Sequence, residues 1–221
     1  MAKRTKEEAL ETRNLILDTS EILFAEKGVS KTTLNDIAKA AGLTRGAIYW
    51  HFENKADLFH AMLKRVTLPM DEFPEALNLD PNTPILEYML ARSLHVVRLL
   101  ADNPRTQRVF DIVIHKAELV DDMLPIRDQH LECRQKCLTR IEDDIRNAIE
   151  KKELPEHIDA HSAAIGFHSL IDGLFCNWVL NPAGFDLPKH TEHALSSYLL
   201  GLQHSKPHSP HSLPSTETPA P

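Results

Sequence analysis

The stretch TTLNDIAKAAGLTRGAIYWHFENKADLF, residues 32–59, decides the fold. Ile37, Ala38 and Ala41 recur at helical spacing behind Thr33. Asp36 stands three residues after that threonine, as a capping-box partner should, and Gly42 ends the run. Thr44 is a good cap for a two-turn segment over Arg45–His51, and Asn54 caps a further helix whose apolar side is Leu58, Phe59, Met62, Leu63 and Val66. A helix, a three-residue turn opening on glycine and a second short helix with small residues at its front make a helix-turn-helix. Gly42 permits the tight turn, while Ala38, Ala41 and Ala47 let the two helices cross closely.

Such a unit presents the start of its second helix to a nucleic acid. Thr44 and Arg45 occupy that start, and arginine makes its best base contact as a bidentate pair with guanine. Gly46 and Ala47 keep the helix surface low. Tyr49 and His51 offer donors to phosphate, and Lys55 adds positive charge at a helix N-terminus that already favours anions.

Working outward, residues 7–27 predict a first helix, with Leu10, Leu17 and Phe24 on one face, Ile16 and Leu23 beside them, and Gly28 as its stop. Before it, Lys3, Arg4 and Lys6 form a short basic arm able to reach phosphates or a minor groove. The net charge of −7 hides a division: residues 1–65 hold eleven Lys/Arg against nine Asp/Glu, or +2, and the remainder fourteen against twenty-three, or −9. The polyanion-binding part is therefore N-terminal.

The chain of 221 residues is 42% hydrophobic, with only seven glycines and almost no β-branched alternation, so the expected class is all-α. Three cysteines give no disulfide framework, and neither a signal peptide nor an unbroken membrane span is evident, which places the protein in the cytoplasm. Pro69, Pro74, Pro81 and Pro84 mark a turn-rich hinge. Beyond it, helices are expected from near 84 and 104 and over about 125–152, 159–180 and 188–203. The expected division is a helix-turn-helix domain able to bind nucleic acid over 1–66, a larger helical domain over 67–203, and a disordered tail over 204–221, where five prolines fall in eighteen residues.

Residues 5–65, through Thr32, Thr33, Ile37, Ala38, Ala41, Gly42, Gly46–Phe52 and Asn54-Lys55, resemble the DNA-binding domain of the TetR family. The run TRGAIYWHF at 44–52 is similar to that of the AcrR-like repressors of multidrug efflux pumps. The second part resembles that branch more thinly, through His115-Lys116, Glu118, Asp121-Asp122-Met123, Leu154-Pro155, Asp172-Gly173-Leu174, Trp178 and Phe185-Asp186-Leu187. Ala117 lies where the branch often has cysteine, and the His-rich tail lies outside the pattern.

The resemblance implies a homodimer reading successive major grooves of a palindromic operator, with half-site centres roughly 34–36 Å apart or a little more. It implies DNA contacts at Thr33, Thr44, Arg45, Gly46, Tyr49, His51 and Lys55, with Trp50 and Phe52 packed inside the domain. It places the dimer interface on the last two helices, with Leu174, Trp178, Leu195, Tyr198 and Leu199. It implies a pocket for a small amphipathic inducer, for which candidates are Val66, Thr67, Met70, Met89, Val96, Phe110, Ile114, His115, Cys137, Ile141, His168 and Asp172. Asp172, an acid in an apolar helix, needs a partner, either structural or a bound cationic drug.

Thirteen histidines raise a metal alternative. His157 and His161, His190 and His193, and Cys133 and Cys137 could each share a helix face, yet none joins a compact four-ligand spacing, so no metal or cofactor is assigned. No HExxH, G-x-S-x-G, Walker loop or dinucleotide fingerprint is present, which leaves catalysis without a site. The reading is a repressor of an efflux-pump operon released by its inducer, with a metal- or metabolite-responsive repressor and a helical metal-dependent enzyme as alternatives.

Overall fold

Helical periodicity becomes helix throughout the computed structural model, which describes residues 6–71, 80, 82–118 and 123–207. The order is α1 (Lys6–Lys27), α2 (Leu34–Ala40), α3 (Arg45–His51), α4 (Lys55–Asp71), α5 (Ile85–Asp102), α6 (Pro104–Asp111) running into a π-helical turn (Ile112–Lys116), α7 (Leu124–Glu150), α8 (Ala160–Leu180) and α9 (Leu187–Gln203). No strand occurs among the described residues. Lys3, Arg4 and the tail beyond Pro207 lie outside them.

The N-terminal core forms where α1 to α4 meet: Ile16, Leu17, Phe24, Ile37, Ile48, Phe52, Leu58, Phe59 and Met62 are each at most 1% exposed. Burial of each such side chain stabilises by about 1.5–3 kcal/mol before entropy is counted. Leu10 departs from the expected stripe and is 58% exposed, because burial on α1 begins only at Ile16. The same core continues into Val109, Ile112, Val113, Met123 and Ile126, so the reader helices and α6 share one apolar interior. α4 runs unbroken through Pro69 to Asp71 and packs on α1, α6 and α7, while Pro74 and Pro81 of the expected hinge lie outside the described residues.

Glycine backbone freedom matters at two turns. Gly28 (φ 83°) and Gly42 (φ 69°) end α1 and α2 in the left-handed region that other residues adopt only with strain. After Gly28 the chain is tied down twice. Val29 N–H donates to the Lys116 carbonyl at 3.0 Å, and the Val29 carbonyl accepts from Lys55 Nζ at 3.1 Å.

The C-terminal helices build two further clusters. Met89, Ile145, Ala148, Phe167, Leu195 and Leu199 fill the space among α5, α7, α8 and α9. Val97, Leu100, Phe175, Trp178, Val179 and Leu187 fill a second one. The start of α5 has Pro84 in the cap position and no local side-chain cap; Glu153 reaches in to accept from Ile85 N–H at 2.9 Å and Leu86 N–H at 3.1 Å. α8 is long and apolar enough to pass a test for a membrane span, yet it carries His161, His168, Asp172 and Asn177 and packs on α7 and α9. Gly166 permits the α8–α9 approach, since a Cβ there would lie 2.3 Å from the Tyr198 hydroxyl, which donates to the Ala163 carbonyl.

Candidate nucleic-acid interface and ligand cavity

Local capping sets the helix-turn-helix. Thr33 N–H donates to Asp36 Oδ2 at 3.0 Å and Asp36 N–H donates back to Thr33 Oγ1 at 3.1 Å, closing the expected capping box. The Thr33 hydroxyl also donates to Asp36, and these bonds hold the Asp36 carboxyl below its usual range. Thr44 Oγ1 accepts from Ala47 N–H at 3.3 Å. Both threonines expected at DNA thus have hydroxyls engaged in shaping the helices.

What remains outward on α3 is Arg45, Gly46, Tyr49 and Trp50. The Arg45 guanidinium stands 5.5 Å from the centre of the Tyr49 ring, and a Cβ on Gly46 would meet nothing within 4 Å. Trp50 overturns its expected place in the core: it is 72% exposed, because Ile48 and Phe52 occupy the inward positions on either side of it. Ile48 and Phe52 stand four apart and share one helix face, so Trp50 midway between them falls on the opposite one, a signal the sequence carries. His51 is half-buried, its ring 4.5 Å from that of Trp50.

Lys55 is half-buried and bonded to the Val29 carbonyl, so it fixes the start of α4 as well as carrying charge. A polar notch of about 520 Å³ joins Thr33, Asn35, Arg45, Tyr49, Asn54 and Lys55 at the adjoining starts of α2, α3 and α4. With Arg45 and Lys55 against one acid, Glu53, the notch is cationic, which suits a phosphate.

A second cavity, of about 420 Å³, opens among α4, α6, α7 and α8. Five of the expected residues line it: Thr67, Phe110, Cys137, His168 and Asp172. Sequence reasoning missed His60, Leu63 and Lys64 on α4, Val113 on the π-helical turn, and His130, Cys133 and Arg134 on α7. These stand one or two turns from expected residues on the same helices, so a helical wheel drawn through Thr67 or Cys137 points to most of them. Val66, Met89 and Ile141 lie instead in the core, each at most 7% exposed. Val96 and Ile114 pack against the α5–α8 cluster, and His115 is exposed with Nδ1 3.0 Å from Asp111 Oδ1. The Met70 side chain lies outside the described residues.

Asp172 lies beside a histidine of its own helix. Its Oδ2 is 3.0 Å from Nδ1 of His168, one turn earlier on α8, without hydrogen-bond geometry, and the carboxylate is half exposed and open to water. The cavity also contains Lys64 and Arg134, which leaves it more basic than acidic.

Three of the five expected interface residues are buried within their own chain. Trp178, Leu195 and Leu199 are 5%, 0% and 5% exposed within their own chain, where they fill the α5–α9 and α5–α8 contacts. Tyr198 is half-buried, bonded to Ala163, and Leu174 packs beside Phe175. The outward faces of the same helices carry Ile165, Leu180 and Leu200, at 39%, 66% and 55%. Of the histidine pairs, His157 bonds Ser205, His161 bonds Glu142 and His190 bonds the Asp186 carbonyl. Among the described residues no three His, Cys, Asp or Glu side chains gather as metal ligands.

Comparison with known proteins agrees with this architecture. Residues 16–62 match the family model for bacterial regulatory proteins of the tetR family, and residues 84–204 match that for the C-terminal region of MAATS-type transcriptional repressors. The chain is 41% identical over 187 residues to the HTH-type transcriptional regulator TtgR of Pseudomonas putida, covering 85% of this chain and 89% of that one. It is similar to the crystal structure of NalD, the secondary repressor of the MexAB-OprM multidrug efflux pump in Pseudomonas aeruginosa, with a TM-score of 0.80 and 34% identity over 91% of this chain and all of that one. It is also similar to SmeT, the repressor of the Stenotrophomonas maltophilia multidrug efflux pump SmeDEF; its triclosan complex gives a TM-score of 0.74 and 28% identity over 96% and 99% of the two chains. With its capped helix-turn-helix, its helical second half and these matches over most of its length, the chain belongs to the tetR family of bacterial transcriptional regulators.

Proposed function

We propose that this protein is a cytoplasmic repressor of a multidrug-efflux operon, which binds a palindromic operator as a homodimer and leaves it when a small apolar or amphipathic compound fills the cavity. The observation that carries the reading is α4. Its first residue, Lys55, borders the notch beside Arg45 and Tyr49, and from about one and a half to three turns later His60, Leu63, Lys64 and Thr67 line the cavity. One rigid rod joins the two sites.

In this reading Arg45 and Trp50 meet base edges, Gly46 lets α3 enter the groove closely, and Tyr49, His51 and Lys55 hold the backbone. Thr33 and Thr44 act by capping, while Lys3, Arg4 and Lys6 reach along the duplex. The exposed faces of α8 and α9, with Ile165, Leu180 and Leu200, meet their counterparts across a two-fold axis. The similarity to NalD and SmeT, both repressors of multidrug efflux pumps, supports the efflux target, and the triclosan complex of SmeT supports an apolar aromatic inducer.

The test is fluorescence anisotropy on duplex from the intergenic region next to the gene, with triclosan added as a probe. Tight, salt-sensitive binding that weakens by roughly 5- to 150-fold with the probe is expected. A protein that binds no duplex from that region, or whose affinity is indifferent to every apolar probe tried, would not be this repressor.

A further inference from the structure

The ligand cavity sets three apolar side chains, Leu63, Phe110 and Val113, beside a polar lining whose charge is mostly of one sign. On α4, His60 and Lys64 stand one helical turn apart; on α7, so do His130 and Arg134. Side chains at this spacing share a helix face, so two rows of nitrogen-bearing side chains border the same space from helices in contact. Among the described residues neither Lys64 nor Arg134 enters an ion pair, whereas Arg65, the next residue on α4, is held by Asp18 and Glu21. Against them stands one carboxylate, Asp172, half exposed and beside His168. Thr67, Cys133 and Cys137 complete the lining. His60 and Cys137 have partners of their own, so recognition of a charged ligand falls to Lys64 and Arg134.

We propose that the cavity selects amphipathic organic anions, with an apolar body against Leu63, Phe110 and Val113 and a carboxylate or phenolate between Lys64 and Arg134. The volume of about 420 Å³ falls within the roughly 300–1,000 Å³ of small-molecule pockets, so a two-ring body fits. A bound anion meets two cations with no competing ion pair to break. A bound cation meets one carboxylate already open to water, with both cations opposing it. Lys64 and Arg134 are themselves exposed, so each is expected to contribute about 2- to 5-fold in affinity, and the two together roughly 10-fold. That such anions are the inducers rests on the cavity being the inducer site; their binding there does not.

The experiment is calorimetry on the full-length chain with three probes of closely matched shape: biphenyl-4-carboxylate, its uncharged carboxamide and the cation 4-phenylbenzylammonium. The carboxylate should bind roughly 10-fold more tightly than the amide, and the cation more weakly than either. Lys64→Gln and Arg134→Gln should each cut the carboxylate's advantage by about 2- to 5-fold while leaving the amide unchanged. Lys64→Glu combined with Arg134→Glu should turn the preference toward the cation. Arg140→Gln, which removes the same charge from α7 outside the cavity lining, should bind all three probes as the wild type does. Equal affinity for carboxylate and amide, tighter binding of the cation, a preference that survives the double charge reversal, or no binding of any probe overturns the anion site. Anisotropy on operator duplex with the same samples separates this from induction. A carboxylate that binds with the expected preference while the operator stays bound retires the inducer reading alone. Triclosan-driven release with no preference for the carboxylate retires the anion site alone.

Discussion

Arg65 of α4 holds Glu21 of α1, its Nη1 donating to Glu21 Oε1 at 3.2 Å, and the glutamate side chain is only 1% exposed. The same guanidinium is 2.9 Å from Asp18. From α6, Arg105 donates to Asp18 at 2.7 Å and brings Nε within 3.2 Å of the other Glu21 oxygen, with Arg108 at 3.9 Å. Two acids of the reader thus gather arginines from two of the helices that border the cavity. Lys64, the neighbour of Arg65, lines that cavity. A displacement of α4 on the cavity side must therefore strain a charged joint on the reader side.

Burial raises the Glu21 pKa above the ordinary 4.5, outweighing Arg105, Arg65 and Arg108, which pull it down. Folded Glu21 keeps its proton to higher pH than unfolded Glu21. Its contribution therefore favours the folded chain fully below about 4.5, the unfolded value, and is lost as pH rises through the raised folded value. Glu21→Gln lacks this titration and should lose less stability between pH 4.5 and 7 than the wild type. Urea unfolding across that window is the measurement. Parallel pH profiles would assign the buried acid no such contribution.

On the reading surface, Arg45→Ala should cost about 1–3 kcal/mol of discrimination between operator and random duplex. Trp50→Ala should weaken operator binding too, and Trp50 fluorescence in a Trp178→Phe background should change on addition of operator. Lys55→Ala is expected to differ from both. It should weaken all duplexes alike, flatten the salt dependence and lower the melting temperature, because it also frees the Val29 carbonyl. Competition titrations at two salt concentrations separate the cases; equal loss of specificity in the Arg45 and Lys55 variants contradicts the division.

The reader was legible because local rules govern it. Thr33 with Asp36, Thr44 before Arg45, Gly28 and Gly42 each act within four residues, and the structure keeps them all. Trp50 was misplaced because a large aromatic suggests core, whereas the position between Ile48 and Phe52 faces solvent. The second half depends on distant pairings that no local pattern holds: Glu153 caps a helix starting 68 residues before it. The same limit misdirected the interface. An apolar helix shows how much surface it must bury, but which face goes to its own chain and which to a partner depends on how α5 and α7 lie against it.

The proposed interface on the outward faces of α8 and α9 gives a sharp expectation for assembly. Ile165→Asp and Leu200→Asp put a charge where an apolar surface meets its copy, so each should shift the protein to monomer by sedimentation and reduce operator affinity while leaving helix content unchanged. Trp178→Ala should act differently. It truncates a side chain buried inside one chain and should lower unfolding stability by about 3–5 kcal/mol, with no dissociation beyond what that instability causes. Clean monomers from Trp178→Ala, together with intact dimers from Ile165→Asp and Leu200→Asp, would return the interface to the buried face.

Induction requires that the inducer bind the operator-free form more tightly, since equal affinity for two conformations shifts nothing. Coupling of about 1–3 kcal/mol corresponds to a 5- to 150-fold change, and linkage makes it reciprocal: operator must weaken ligand binding by the factor with which ligand weakens operator binding. If the Arg65–Glu21 joint transmits the displacement of α4 to α1, Arg65→Ala should leave ligand affinity for the free protein intact, because Arg65 is absent from the cavity wall. The affinity ratio between free and operator-bound protein should then move toward one. Asp18 and Glu21 would still face Arg105 from α6, so some coupling is expected to survive. Arg65→Ala combined with Arg105→Ala should remove more of it than either alone. Calorimetry with triclosan on free and operator-bound forms of the three variants measures the ratio directly. A ratio unchanged from the wild type in the double variant, with both chains folded and bound to operator, would show that the cavity speaks to the reader through the shared apolar core around Val109 and Ile112 instead.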